Sequence, residues 1–224
     1  DTLLLYGAFS QAKSDFPLTD ILIKATRLKR LCLCTGIHLK NLAVMFPILP
    51  NLEMFTFANI YQLDVIQLIP HLTPGKCTTL NLQCNLTAKV LSEWAALCPD
   101  LLKHLTSLNL ANVQHMLVTN RLCDLCPLLQ VLHIDFYFDP IDTNASVDLD
   151  LTEVTISQLA KLKNLADLSL YGFNLNYPRL VDARKLFQLE QSPNVKQLNI
   201  LVLNRLLGKQ FCSLFSIIFP NVEH

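Results

Sequence analysis

Glycine is scarce in this chain, with five residues in 224, and none of the five (Gly7, Gly36, Gly75, Gly172, Gly208) lies in a loop that would cradle a phosphate with its amides. Excess positive charge is also lacking: 18 Lys and Arg balance 18 Asp and Glu. A surface that follows a phosphate backbone needs clustered cations. The densest group here, Lys24, Arg27, Lys29 and Arg30, reads as a solvated rim, so nucleic acid is excluded as a partner. No uninterrupted apolar run approaches the ~20 residues of a membrane span, and no basic stretch after Asp1 marks a signal peptide. The six histidines form no His-x-x-x-His pair, and no strand-turn-Ser nucleophile motif occurs. Cys123-Asp124-Leu125-Cys126 has no second Cys or His pair at zinc-finger spacing. These absences predict a chain that is not an enzyme and takes no cofactor or metal.

What the chain has in quantity is apolar residues, 51% against 16% charged. They are patterned. Seven times an apolar-x-x-apolar-x-apolar motif recurs: Leu28/Leu31/Leu33, Leu52/Phe55/Phe57, Cys77/Leu80/Leu82, Leu105/Leu108/Leu110, Leu129/Leu132/Ile134, Leu165/Leu168/Leu170 and Val195/Leu198/Ile200. First positions are 24, 25, 28, 24, 36 and 30 residues apart. Broken copies at Leu3-x-Leu5 and Val222 imply that both ends cut through repeats. Two apolar groups one residue apart point to the same side of a strand, and the apolar residue three positions earlier closes the corner beneath them. One such strand cannot bury its face alone; a stack of parallel strands with return segments on the far side can. Proline supplies the punctuation in Pro50-Asn51-Leu52, Pro193-Asn194-Val195 and Pro220-Asn221-Val222, where it stops the return segment before the next strand.

The eight cysteines (Cys32, Cys34, Cys77, Cys84, Cys98, Cys123, Cys126, Cys212) are spread through repeat interiors rather than clustered as disulfide caps, which predicts free thiols in a reducing cytoplasm or nucleus. Cys98 and Cys126 both fall at expected helix ends, with Cys123 one turn earlier on the same helical face. Two sequons, at Asn85 and Asn144, argue the other way, but matches of this kind arise by chance.

The spacing, the return helix expected at Thr87–Leu97 and the Cys-Pro or Phe-Pro before new strands (Phe46-Pro47, Cys98-Pro99, Cys126-Pro127, Phe219-Pro220) resemble leucine-rich repeats of the ribonuclease-inhibitor-like class, and are similar to those of F-box leucine-rich-repeat proteins. The resemblance implies an α/β fold: one leucine-rich-repeat solenoid domain over residues 1–224, with a curved parallel β-ribbon on the concave side and helices or irregular turns on the convex side. It also implies a protein-interaction module, the substrate-recognition part of a ubiquitin-ligase receptor whose F-box and Skp-type adaptor or cullin contacts would lie in a missing N-terminal region. The alternative is a constitutive structural subunit or scaffold in a large assembly. The family's asparagine after the third apolar position stands only at Asn85, with Val113 and Phe173 among its replacements.

Strand alternation predicts which residues the concave face displays. The middle repeats offer small amides and hydroxyls, Asn109 among them, and the later ones offer His133, Asp135, Asp167 and Tyr171, with Asn199 beyond. Aromatic area beside hydrogen-bonding charge is the composition of interface hot spots, so a protein partner is expected there. The long repeat between Ile134 and Leu165 adds Phe136, Tyr137 and Phe138, either core filler or a flap over the concave edge, then an acidic stretch and a return helix at Thr152–Lys163. The acidic stretch lacks the spacing and central glycine of a calcium loop.

Overall fold

The computed structural model describes residues 1–6, 24–34, 49–58, 69–113, 116–136, 153–173, 195–202 and 221. Within them, strand follows strand in one eight-stranded, all-parallel sheet whose spatial order is its sequence order: β1 (Thr2–Tyr6), β2 (Arg30–Cys34), β3 (Met54–Ala58), β4 (Thr79–Leu86), β5 (Ser107–Val113), β6 (Val131–Phe136), β7 (Asp167–Phe173) and β8 (Gln197–Val202). The register is the one that the apolar motif demands. Leu3, Leu31, Phe55, Leu80, Leu108, Leu132, Leu168 and Leu198 are successive partners, and so are Leu5, Leu33, Phe57, Leu82, Leu110, Ile134, Leu170 and Ile200. A slip of one residue would turn every one of these side chains to the opposite face, which is why the pattern fixes the pairing so firmly.

The expected inward residues from Leu31 to Leu170 are at most 1% exposed, and the first motif positions from Leu28 to Val195 at most 5%. The corner geometry explains the second group. The amides of Leu28, Leu52, Leu105, Leu129 and Leu165 each donate to the carbonyl three residues back, tightening the chain just before a strand. Each strand is then hooked to its predecessor by one carbonyl that accepts two consecutive amides, as Glu53 O does from Thr78 and Thr79 (3.0 and 3.2 Å) and Gln130 O from Ala166 and Asp167 (2.8 and 3.0 Å). Asn51, from the first Pro-Asn-apolar turn, adds a side-chain bond from Nδ2 to Thr26 O at 3.0 Å.

Helices occupy the inner face. A short 3-10 turn (Ile69–His71) precedes β4, followed by α1 (Ala88–Leu97), α2 (Pro99–His104), α3 (Met116–Leu125) and α4 (Glu153–Ala160). Thr87 caps α1, its Oγ1 accepting from Val90 N, and Val90, Leu91 and Trp94 join the strand leucines in one continuous core. At the other end the Cys98 amide donates to Trp94 O, and Pro99 at the first turn of α2, where no amide donor is missed, redirects the chain. α4 is shorter than expected from the sequence, because the chain turns at Lys161 and Leu162 to reach Leu165. Phe136 is core filler, 4% exposed; Tyr137, Phe138, most of the acidic stretch and the sequon at Asn144 lie outside the described residues. Among the described residues no helix is long and apolar enough to cross a membrane.

Candidate functional site

The residues between the inward leucines point to the other face of the sheet, and the register arranges them in rows. The central row runs Cys32, Thr56, Asn81, Asn109, His133 and Ser169, and the backbone register continues it to Asn199 on β8. Asn81 Nδ2 donates to Thr56 Oγ1 at 3.1 Å, one link along this row. The structure thus brings the expected site residues onto neighbouring strands: Asn109 pairs laterally with His133, His133 with Ser169, Asp135 with Tyr171, and Ser169 with Asn199. Asn109 and Asp135 are exposed, whereas His133, Asp167 and Tyr171 are half-buried.

His133 and Asp167 approach each other on the diagonal, Nε2 to Oδ2 at 3.3 Å, with side chains 33% and 23% exposed. The other carboxylate oxygen of Asp167, Oδ1, is buried and has no hydrogen-bond partner among the described residues. Ser169 departs from the expected pattern. It occupies the outer face but is 1% exposed, since its one-carbon side chain sits below the level of the larger His133, Asp167 and Tyr171 around it.

The ends of these strands are shaped by residues in the left-handed backbone region. Asn112 (φ 62°) and Gly172 (φ 74°) each follow the last regular outward residue of their strand, Ala111 and Tyr171, and the pairing register shifts there. The extra residue lets β5 pass one position and bury Val113 opposite Phe136. At Gly172 a side chain would not fit: an added Cβ would stand 2.5 Å from the Phe136 carbonyl oxygen. The same point is 3.7 Å from Asp135 Oδ1, so that carboxylate leans over the bare glycine backbone. Partial burial there raises the Asp135 carboxyl above the usual aspartate range. A glycine directly after Tyr171, inside a strand pattern, was the sequence signal for this close approach.

Among the described residues the thiols have no comparable arrangement. Burial pushes Cys77, Cys84, Cys123 and Cys126 up to about 12 and Cys98 up to about 11, so that the thiolate needed for nucleophilic or metal chemistry is suppressed. Among the described residues no three His, Cys, Asp or Glu side chains are grouped to hold a metal ion. At the strand starts, a cleft of about 340 Å³ is lined by Asp1, Arg27, Lys29, Asn51, Glu53 and Lys76. Its charges are mixed and Lys29 is tied to Glu53 at 2.8 Å, as a solvated rim would be. That hydrogen bond holds the Glu53 carboxyl below its ordinary range. No family model matches this chain, and no curated protein matches it.

Proposed function

We propose that this chain is a leucine-rich-repeat solenoid that binds a protein partner on its strand face. The observation that carries the reading is the lateral alignment of Asn109, His133, Asp135, Asp167 and Tyr171 on three consecutive strands, on the face away from the helices. An aromatic side chain among half-desolvated polar groups is the composition that concentrates binding energy at interfaces. The in-order parallel sheet, with the apolar motif in register on every strand, supports the solenoid assignment. In the F-box form of this reading the bound partner is a substrate for ubiquitin transfer in the cytoplasm or nucleus. The recruiting box then belongs to residues beyond this sequence.

The test pairs co-purification with mutagenesis. Proteins retained by the tagged chain are identified by mass spectrometry, and the affinity of the recovered partner is measured for wild type and Tyr171→Ala. An interface of ordinary size, about 800 Å² on this side, spans several strands, so the loss at Tyr171 should reach about 2 kcal/mol or more with thermal unfolding nearly unchanged. Unchanged affinity in a folded variant would move the binding site off this face. Cullin or Skp-type proteins among those retained would favour the ligase form, and stoichiometric recovery with a fixed complex the structural-subunit form.

A further inference from the structure

We infer that the outer face grips its partner through an arginine side chain, held between the carboxylate of Asp135 and the ring of Tyr171, so that the partner is a protein segment presenting a single arginine. This rests on the reading of the face given above and narrows it to a chemistry.

Asp135 and Tyr171 are direct lateral partners on β6 and β7, which puts their Cα atoms within about 5 Å of each other and their side chains side by side. Neither has an ion pair or hydrogen bond among the described residues, and the outer-face positions of β5 to β8 carry no Lys or Arg of their own. Among the described residues the nearest cation in sequence to that end of β8, Lys196, precedes the strand by one residue and lies five positions from Leu201, the register partner of Tyr171, or roughly 16 Å along the strand. The Asp135 carboxylate is thus exposed, with Oδ1 beside the space that the bare Gly172 leaves open, and it has no donor among the described residues.

A planar guanidinium fits this pair better than any other side chain. It donates two parallel hydrogen bonds to a carboxylate while its face stacks on an aromatic ring, and it sheds water more readily than an ammonium. The second carboxylate does not make a second grip. Asp167 stands four residues from Tyr171, about 13 Å along the strand and beyond the ~8 Å screening length at physiological salt. One of its oxygens faces His133 and the other is buried, so it offers no open edge to an incoming cation. One arginine anchor is therefore expected rather than a run of basic residues, and affinity should fall only modestly with salt.

The experiment is a selection of random twelve-residue peptides displayed on phage against the full chain, run in parallel on wild type, Asp135→Asn and Tyr171→Ala. Thermal unfolding checks that each variant folds; the Asn replacement keeps the shape of an exposed side chain. Peptides eluted from wild type should be enriched in arginine at one position. That enrichment should vanish for Asp135→Asn and weaken for Tyr171→Ala, and replacing that arginine with citrulline in the best peptide should reduce affinity tenfold or more. Peptides that bind without arginine enrichment, or with the same enrichment on Asp135→Asn, would overturn the arginine grip while leaving the binding face intact. If no peptide is selected whose binding any outer-face variant alters, the reading of the face fails, and this inference with it.

Discussion

Two glycines with the same backbone conformation allow the strand packing to be tested by subtraction. Gly172 and Gly75 both have φ of 74°. A Cβ on Gly75 would meet only the ring edge of His104 at 3.8 Å, an ordinary contact, whereas on Gly172 it would stand 2.5 Å from the Phe136 carbonyl oxygen and 3.4 Å from its carbon. Gly75→Ala should therefore cost about 1–2 kcal/mol, the strain of a left-handed alanine. Gly172→Ala carries the same strain plus the displacement of a backbone group, a further 1–3 kcal/mol or so, because Phe136 is itself buried and cannot swing aside. The expected total is about 2–5 kcal/mol. Urea unfolding followed by far-UV circular dichroism measures both variants, and fluorescence of the single tryptophan, Trp94, buried in α1, reports a region remote in sequence from β7. At a slope of about 1–3 kcal/mol per molar urea, the Gly172 midpoint should fall by roughly 1–3 M. A cost equal to that of Gly75→Ala would mean that β6 and β7 do not approach as closely as described. A loss seen by circular dichroism with no movement of the Trp94 midpoint would show that β7 unravels without α1.

The remaining expectations are simpler. Leu108→Ala or Leu132→Ala, each removing a side chain at most 1% exposed, should lower stability by about 2–5 kcal/mol in the same urea assay. Thr87→Ala should cost about 1 kcal/mol by releasing the Val90 amide, with Thr87→Ser largely restoring it. With their thiols raised to about 12, Cys77, Cys84, Cys123 and Cys126 should resist iodoacetamide at pH 8 in the folded protein and react once urea unfolds it, read by mass spectrometry; rapid labelling without unfolding would contradict their burial. Asp135 holds its proton more tightly when folded than unfolded, so its contribution to stability falls as pH rises through the carboxylate range. Asp135→Asn should remove that decline and be no less stable than wild type at neutral pH; a steeper fall in the variant would show the sign to be wrong.

The inward side of the sheet was legible because burial imposes a period of two that leucine satisfies and polar residues do not. Cys77 could be placed in the core by register alone, and it lies there at 0% exposure. The outer rows were legible as to which residues share a face but not as to depth, since alternation says nothing about neighbours: Ser169 is buried by the size of the side chains around it. The diagonal approach of His133 to Asp167 was equally hidden, because it depends on rotamers across two strands rather than on a repeat. Asn112 carried no signal strong enough to place a left-handed residue; polar residues follow many strands, and only the shift between Leu110 and Val113 shows that one was needed.

Because spatial order equals sequence order, each strand between β1 and β8 is hydrogen-bonded, within the described sheet, only to the strand before it and the strand after it. Pulled from its two ends, such a sheet offers no shear clamp formed by distant segments; it peels, one strand at a time, each release giving up a single doubly accepting carbonyl and one ladder of amides. A partner seated across β5, β6 and β7 would act as a splint over three of those seams. Force would then be carried past the splint to the uncovered strands, and the bound protein would reveal the extent of its footprint by which steps of the peeling it suppresses.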